Sequence, residues 1–433
     1  MPFININEVE EQSFAAFDVT ENTVLIPMLY VRDIIPDSEG NEQYAETDVP
    51  ASKLYTSAKN LIADLRGHFV TVNGEYDRSY VMAYELLLQG LNVVIKPIKY
   101  DNRLIGREIE EDKAYELLEN AILNENVFDE FESRNIFNIK FITSGGYANC
   151  MKEYYVSNDD ELKPKLTSSY VKLRELAEAR GDAIALIEYG DFFESEEKLF
   201  DVVNNTAGDA NGDYFSAAFF PWVHMTSTAT GSTSQVLMPA CFAYLMAYAN
   251  SVRDNANWFA AAGVNRGIIP NLIKPSFEVG EALMHVLQGD EGDLTLSSFV
   301  INPIYNAGTY GYKIWGNRVF SKNDTSYEDR YINFLNVRVL MCDIKKQIYH
   351  AAMRVTFEPN DDIVWINFKT LANTLLENMK SGRGLRWYKW KKEVVSQKAL
   401  IKATLTIQPI EAVESFDFTI VLTDEDATIE ETI

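Results

Sequence analysis

The stretch that decides the fold class is "SSYVKLRELAEARGDAIALIEYGD", Ser168 to Asp191. Its first part is rich in strong helix formers and runs into Gly181, a residue that stops helices because it accepts a left-handed backbone. Its second part, "DAIALIEYGD", carries a continuous apolar run of strand length rather than a helical period. A helix feeding directly into a buried strand is half of a strand–helix–strand unit.

The pattern extends in both directions. Upstream, "FNIKFIT" (Phe137–Thr143) predicts a strand. Downstream come a helix, "FFESEEKLFDVVNNTAG", a third strand, "DYFSAAFFPWVHM", and a long buried helix, "SQVLMPACFAYLMAYANSV". Such alternation implies a mainly parallel sheet with helices on both faces. Nearer the start, "TVLIPMLYV" (Thr23–Val31) reads as a buried strand in which Pro27 suggests an edge or a bulge. The loop "DIIPDSEGNEQYAETDVPAS" follows, then the helix "SYVMAYELLLQG" and the strand "LNVVIKPIKY". "DKAYELLENAILNENVFDEF" is a polar, helix-rich connector.

The last third changes character. Val337, Met341, Ile344, Ile348, Ala351 and Val355 recur at three and four, which is one helix face. "FEPND" breaks that helix, and Asn360 or Asp361 can cap the next one. Val364, Phe368, Leu371 and Leu375 then repeat the pattern until Gly382 stops it. "IKATLTIQPI" alternates through Ile401, Ala403, Leu405 and Ile407, and "FDFTIVLT" through Phe416, Phe418, Ile420 and Leu422. At the other end of the chain Ile4 and Ile6 alternate with Asn5 and Asn7, with nothing nearby to pair with.

Charge excludes some functions and singles out one segment. The chain carries 64 acidic and 39 basic residues, a formal net charge of −25, which opposes general nucleic-acid binding. Yet "MKSGRGLRWYKWKK" (Met379–Lys392) holds Lys380, Arg383, Arg386, Lys389, Lys391 and Lys392 and no acid. Three readings stand side by side: a solvated helix end favoured by the dipole, aromatics interleaved to stack single-stranded nucleic acid, or a surface for an acidic protein.

Enzyme motifs fail their spacing tests. "TSGGY" (Thr143–Tyr147) lacks the lysine of a P-loop and the third glycine of a dinucleotide fingerprint. His68, His224, His285 and His350 are the four histidines, and no GxSxG elbow accompanies them. "DANGD" (Asp209–Asp213) lacks the closing glutamate of a calcium loop. Cys150, Cys241 and Cys342 form no CxxC pair, so reduced thiols are expected rather than a disulfide framework or zinc site. The start, "MPFININEVEEQ", has no basic n-region followed by an apolar core, and no window offers the ~20 apolar residues of a membrane span.

Five blocks in order resemble the tail sheath proteins of contractile phages and related injection machines. They are "AAFFPWVHM", "AAAGVNRGII" (Ala260–Ile269), "INPIYNAGTYGYKIWGNRVFS" (Ile301–Ser321), "RYINFLNVRVLMCDIKKQIYHAAMRVTFEPND" and "IKATLTIQPIEAVESFDFTIVL". The resemblance implies an α/β fold whose central domain, residues 101–315, is subtilisin-like and non-catalytic. It also implies a mixed α+β inner domain, 316–410, completed by the chain start and facing a tail tube. A small α/β domain, 21–100, and strand-like terminal arms, 1–20 and 411–433, complete the organisation. The implied function is a structural subunit, not an enzyme and without cofactors. Six copies would form a ring, and rings would stack helically around the tube and contract to drive it through a cell envelope. The implied partners are itself, the tail tube protein, and baseplate and tail terminator proteins, with no nucleic acid and no membrane insertion. Its place would be a virion tail or phage-like particle assembled in the host bacterial cytoplasm. The tube-contact residues would be Lys369, Lys380, Arg383, Arg386, Lys389, Lys391 and Lys392. Ile4, Ile6, Phe416, Phe418, Ile420 and Leu422 would form the arms shared between neighbours. The competing readings are a cytosolic α/β hydrolase-like or nucleotide-binding enzyme and a single-strand nucleic-acid binder.

Overall fold

The computed structural model describes residues 21–40, 42–45, 49–72, 75–100, 108–123, 127–146, 168–189, 199–200, 203, 214–288, 299–320, 331–393 and 400–413. The expected arms, with Ile4, Ile6, Phe416, Phe418, Ile420 and Leu422, lie outside the described residues, as does most of the expected helix "FFESEEKLFDVVNNTAG".

An eight-stranded sheet organises the body. Its strands are β1 (Thr23–Tyr30), β2 (Lys53–Tyr55), β3 (Asn92–Lys99), β4 (Phe141–Ile142), β5 (Ile184–Glu188), β6 (Ser216–Phe220), β7 (Asn302–Asn306) and β8 (Tyr312–Ile314). They lie in the order β8-β7-β6-β5-β4-β1-β3-β2. The run from β7 to β3 is parallel, and an antiparallel strand closes each side. Strands from residues 21–100 and from 141–314 therefore share one sheet.

The crossovers put helices on both faces, as parallel pairing demands. Val24, Ile26 and Met28 point into one core with Phe141, Leu186 and Phe219, against α2 (Arg78–Leu88) and α5 (Ala240–Asp254). Leu25, Ile142 and Ala185 point the other way, against α4 (Ser168–Arg180), whose end is set by Gly181 at φ 67°. Leu29 of the same strand meets α3 (Glu111–Leu123) through Ala114 and Leu118. α6 (Glu281–Gln288) covers the far end through Leu283 and Leu287.

Four expectations need correction. β1 is a central strand, not an edge. Pro27 is tolerated because the ladder with β4 involves only Val24 and Leu25, so no partner there needs its missing N–H. The expected third strand divides at Pro221: Ser216–Phe220 stays in the sheet, while Val223–Ser227 enters a separate three-stranded sheet. The expected long helix divides at Pro239. Ser234–Met238 is a strand paired with Val223–Ser227, and α5 starts after the proline, where an absent N–H costs nothing. Within the expected loop at Asp33–Ser52, Ile34–Pro36 pairs antiparallel with Glu42–Tyr44.

A long helix ties the C-terminal third to this body. α7 (Leu335–Val355) gives Leu335, Val339 and Cys342 to the body core. Another face of the same turns gives Leu340 and Ile344 to a second core with α8 (Asp362–Ser381) and the hairpin β9–β10 (Leu385–Glu393 and Lys402–Pro409). Asp361 caps α8 as expected, accepting from the Val364 amide at 2.9 Å. The period of α7 is thus split between two cores.

Candidate functional site

The basic segment begins as a helix end and continues as a strand. α8 stops at Ser381, Gly382 caps it, and after a two-residue turn the chain becomes strand β9. β9 pairs only with β10 among the described residues, so both outer edges of this two-stranded sheet are open there.

Strand alternation then sorts the side chains. Tyr388 and Trp390, with Leu405 and Ile407 opposite, face α8 and join the second core. Trp390 donates to Asn373 Oδ1 at 2.8 Å and meets Trp365 and Phe368 edge-on. Tyr388 donates to Glu377, and partial burial together with that carboxylate pushes its hydroxyl up to about 12. Lys392 lies on this side too, 3.5 Å from Asp362 Oδ1 and over the Trp365 ring. Trp387, Lys389 and Lys391 project from the opposite face, beside Thr404, Thr406 and Gln408. Lys389 and Lys391 are exposed and have no ion-pair partner among the described residues.

The other expected residues bracket this face. Lys380 is exposed in the last turn of α8, where a cation suits the helix dipole. Arg383 and Arg386 are exposed around the turn, and Lys369 is half-buried midway along α8. The structure therefore gathers Lys380, Arg383, Arg386, Lys389 and Lys391 on the exposed turn and outer strand, and it separates Lys392 from them.

This arrangement weighs between the readings of the segment. Two of its three aromatics are committed to the core, so the Trp–Tyr–Trp run offers no stacking ladder, and Trp387 alone stands out at 43% exposure. What remains exposed is a strand face carrying Lys389 and Lys391, closed at its end by Glu393 paired to Lys402. Its chemistry is recognition of negative charge.

Glu188, which the sequence reading passed over, ends β5 fully buried. Ser144 donates to it, and burial pushes its carboxyl up to about 7. The signal was an acid closing an otherwise apolar run. The adjoining "TSGG" is a buried turn, not an open cradle: a Cβ on Gly145 would stand 2.4 Å from the Pro27 carbonyl oxygen. His68 stacks on Tyr30 and His224 meets Gln235, neither beside an activated serine. Among the described residues no His, Cys, Asp and Glu group could hold a metal, and no helix is long and apolar enough to cross a membrane.

No family model matches the chain. Over 187 residues it is 27% identical to the tail sheath protein of Enterobacteria phage T4, a match covering 41% of this chain and 26% of that protein. The chain thus spans about a quarter of that relative. Its fold is similar to a chain in the 6-fold symmetrised cryo-EM structure of the anti-feeding prophage baseplate. There the TM-score is 0.58 at 13% identity, over 95% of this chain and 94% of the other. A chain of the contracted extracellular contractile injection system PVC sheath complex aligns with a TM-score of 0.52 at 13% identity, covering 94% and 92%. The sequence match and the shared mixed α/β fold bear out the resemblance to the contractile tail sheath family.

Proposed function

We propose that this chain is a structural subunit of a contractile tail sheath. The observation that carries the reading is the sequence match to a tail sheath protein, together with a fold similar over 94–95% of this chain to chains of contractile injection machines. Residues 101–315 are the subtilisin-like, non-catalytic part, with the strands of 21–100 continuing its sheet, and residues 316–410 form the inner part that faces a tail tube. Copies assemble as six-membered rings stacked helically, through a heterologous contact that does not close on itself.

The hairpin supplies two things this function needs. Its open edges can accept strands from neighbours by β-augmentation, and the alternating segments around Ile4 and Ile6 and from Phe416 to Leu422 have the matching pattern. Its outer face, with Lys389 and Lys391, presents charge to an acidic tube, flanked by Lys380, Arg383 and Arg386. Subunits tethered by shared strands can rotate as rigid bodies and make new contacts without separating. A contraction of this type releases free energy held behind a kinetic barrier. Baseplate and terminator proteins would meet the two ends of the stack, in a virion tail or a phage-like particle.

Negative-stain microscopy of the purified chain, alone and with its tube protein, tests the reading. Striated cylinders or stacked rings are expected. Compact monomers under every condition would exclude a sheath and return the enzyme reading to first place.

A further inference from the structure

The turn that carries the basic face has its glycines in unexpected places. Gly382, Arg383 and Gly384 follow one another, yet the left-handed backbone falls on Arg383, at φ 62°, while Gly382 has an ordinary φ of −87°. Gly384 is likewise not among the glycines with positive φ. Conformation therefore does not explain the two glycines, and a bulky residue sits where glycine is the default.

Trp258 explains both. A Cβ on Gly382 would stand 2.7 Å from the Trp258 ring, and one on Gly384 would stand 2.9 Å from it. The indole lies in a slot made by two residues without side chains, and its Nε1–H donates to the Gly382 carbonyl at 2.9 Å. Trp258 belongs to the body. It follows α5 in a loop where Arg266 donates to the Ala260 carbonyl at 2.9 Å and packs on Phe259. Asn336, at the start of α7, donates to the Trp258 carbonyl at 3.0 Å and is itself paired with Asn317.

We propose that Trp258 is a clamp that fixes the basic turn to the α/β body, so that Arg383 and the outer face of the hairpin keep one orientation relative to the sheet. Without it the hairpin and α8 would rest on α7 through the second core and on Tyr331 through Gln408, and the turn would lose its anchor to the loop after α5. Arg383 keeps its strained conformation because the slot claims the glycines on either side and the turn still presents a guanidinium. Trp258 is a positioning residue, acting on the partner through Arg383 and its neighbours. The consequence for tube contact rests on the sheath reading, whereas the clamp does not.

Two measurements separate the clamp from the sheath. Nitroxide pairs at Ser232→Cys and Thr404→Cys, in the full-length chain with Cys150→Ser, report the distance between body and hairpin. A single narrow peak is expected in the parent and a broadened or split one in Trp258→Ala. Trp258→Phe, which keeps the ring but not the donor, should lie near the parent. Gly384→Ala, which evicts the indole without touching the body, should reproduce the broadening should Trp258→Ala not fold. An unchanged narrow peak in a folded Trp258→Ala or in Gly384→Ala overturns the clamp. If the peak broadens yet Trp258→Ala still coats tubes as the parent does, the clamp stands and the tube-facing assignment falls.

Discussion

Lys140 Nζ stands 2.6 Å from Asp343 Oδ1 with both side chains fully buried, joining the approach to β4 to the middle of α7. The Asn22 amide oxygen also accepts from Lys140, at 2.8 Å, and Tyr248 donates to that same oxygen. One turn on, Lys346 donates to the Ile139 carbonyl at 2.8 Å. Burial pushes the Asp343 carboxyl above the usual range against the pull of Lys140 and Lys346. Burial, and then the charge on Lys140, pushes Lys346 down to about 8. A core that isolates charge this thoroughly holds α7 in one place relative to the sheet.

Breaking that pair is expected to be costly. Asp343→Asn would leave the buried Lys140 ammonium without its counter-charge, and losing one partner of a buried pair costs about 3–5 kcal/mol. Replacing both members, Lys140→Met with Asp343→Leu, should recover most of the loss. Urea unfolding of the three chains reads both values. A single mutant as stable as the parent would mean the pair does not hold α7.

Glu188 should make stability fall as pH rises through the mildly acidic range. Its folded value of about 7 lies above the ordinary 4.5, so between these limits the folded chain holds a proton that the unfolded chain has lost. The contribution is neutral below pH 4.5 and fully unfavourable above 7, on the order of 3 kcal/mol at 1.36 kcal/mol per unit. Glu188→Gln should remove this slope and be the more stable chain at pH 8. Parallel slopes for the two chains between pH 4.5 and 7 would sink the claim.

Phe357 adopts φ 72° at the turn between α7 and α8 with its side chain wholly in solvent. A non-glycine residue in this region costs about 1–2 kcal/mol, and an exposed ring gives nothing back within the chain. Phe357→Gly should therefore match or exceed the parent in thermal stability, by up to about 1 kcal/mol after the added chain entropy. Phe357→Val, β-branched, should lose stability. A clear loss on Phe357→Gly would show that the ring packs on this chain after all.

What the sequence made legible follows physical range. The order of parallel strands and helices could be read because Gly181, Asp361 and Gly382 are local signals acting within a turn of where they sit. Pro27 misled because its consequence depends on the neighbouring strand, since it sits mid-sheet where β4 is two residues long, while Pro221 and Pro239 divide runs that otherwise read as single elements. The cations of the basic segment could be listed from the sequence, but their sorting could not. Whether Lys391 or Lys392 faces outward depends on the register of β9 against β10, and one residue of slip exchanges them. Trp258 lies more than a hundred residues from the glycines it fills, so no local pattern could pair them.

That register decides which charges to reverse. Lys389 and Lys391 share the outer face and are exposed there, whereas Lys392 leans on Trp365 and Asp362. If the outer face grips an acidic tube, Lys389→Glu with Lys391→Glu should abolish sheath assembly on tubes and leave the melting temperature of the isolated chain nearly unchanged. Lys392→Glu alone should do the reverse, lowering stability slightly by placing a second acid beside Asp362 while tubes are still coated. Exposed charge pairs contribute roughly 0–1 kcal/mol each, so one subunit would hold a tube weakly; repetition along the stack multiplies the contact. Salt should weaken coating by the parent chain, because a Debye length of about 8 Å at physiological ionic strength is comparable with the reach of these side chains. Co-sedimentation of each variant with purified tubes, at low and high salt, reads all of these outcomes. Full coating by the Lys389, Lys391 double mutant at low salt would mean that the outer face of the hairpin points away from the tube.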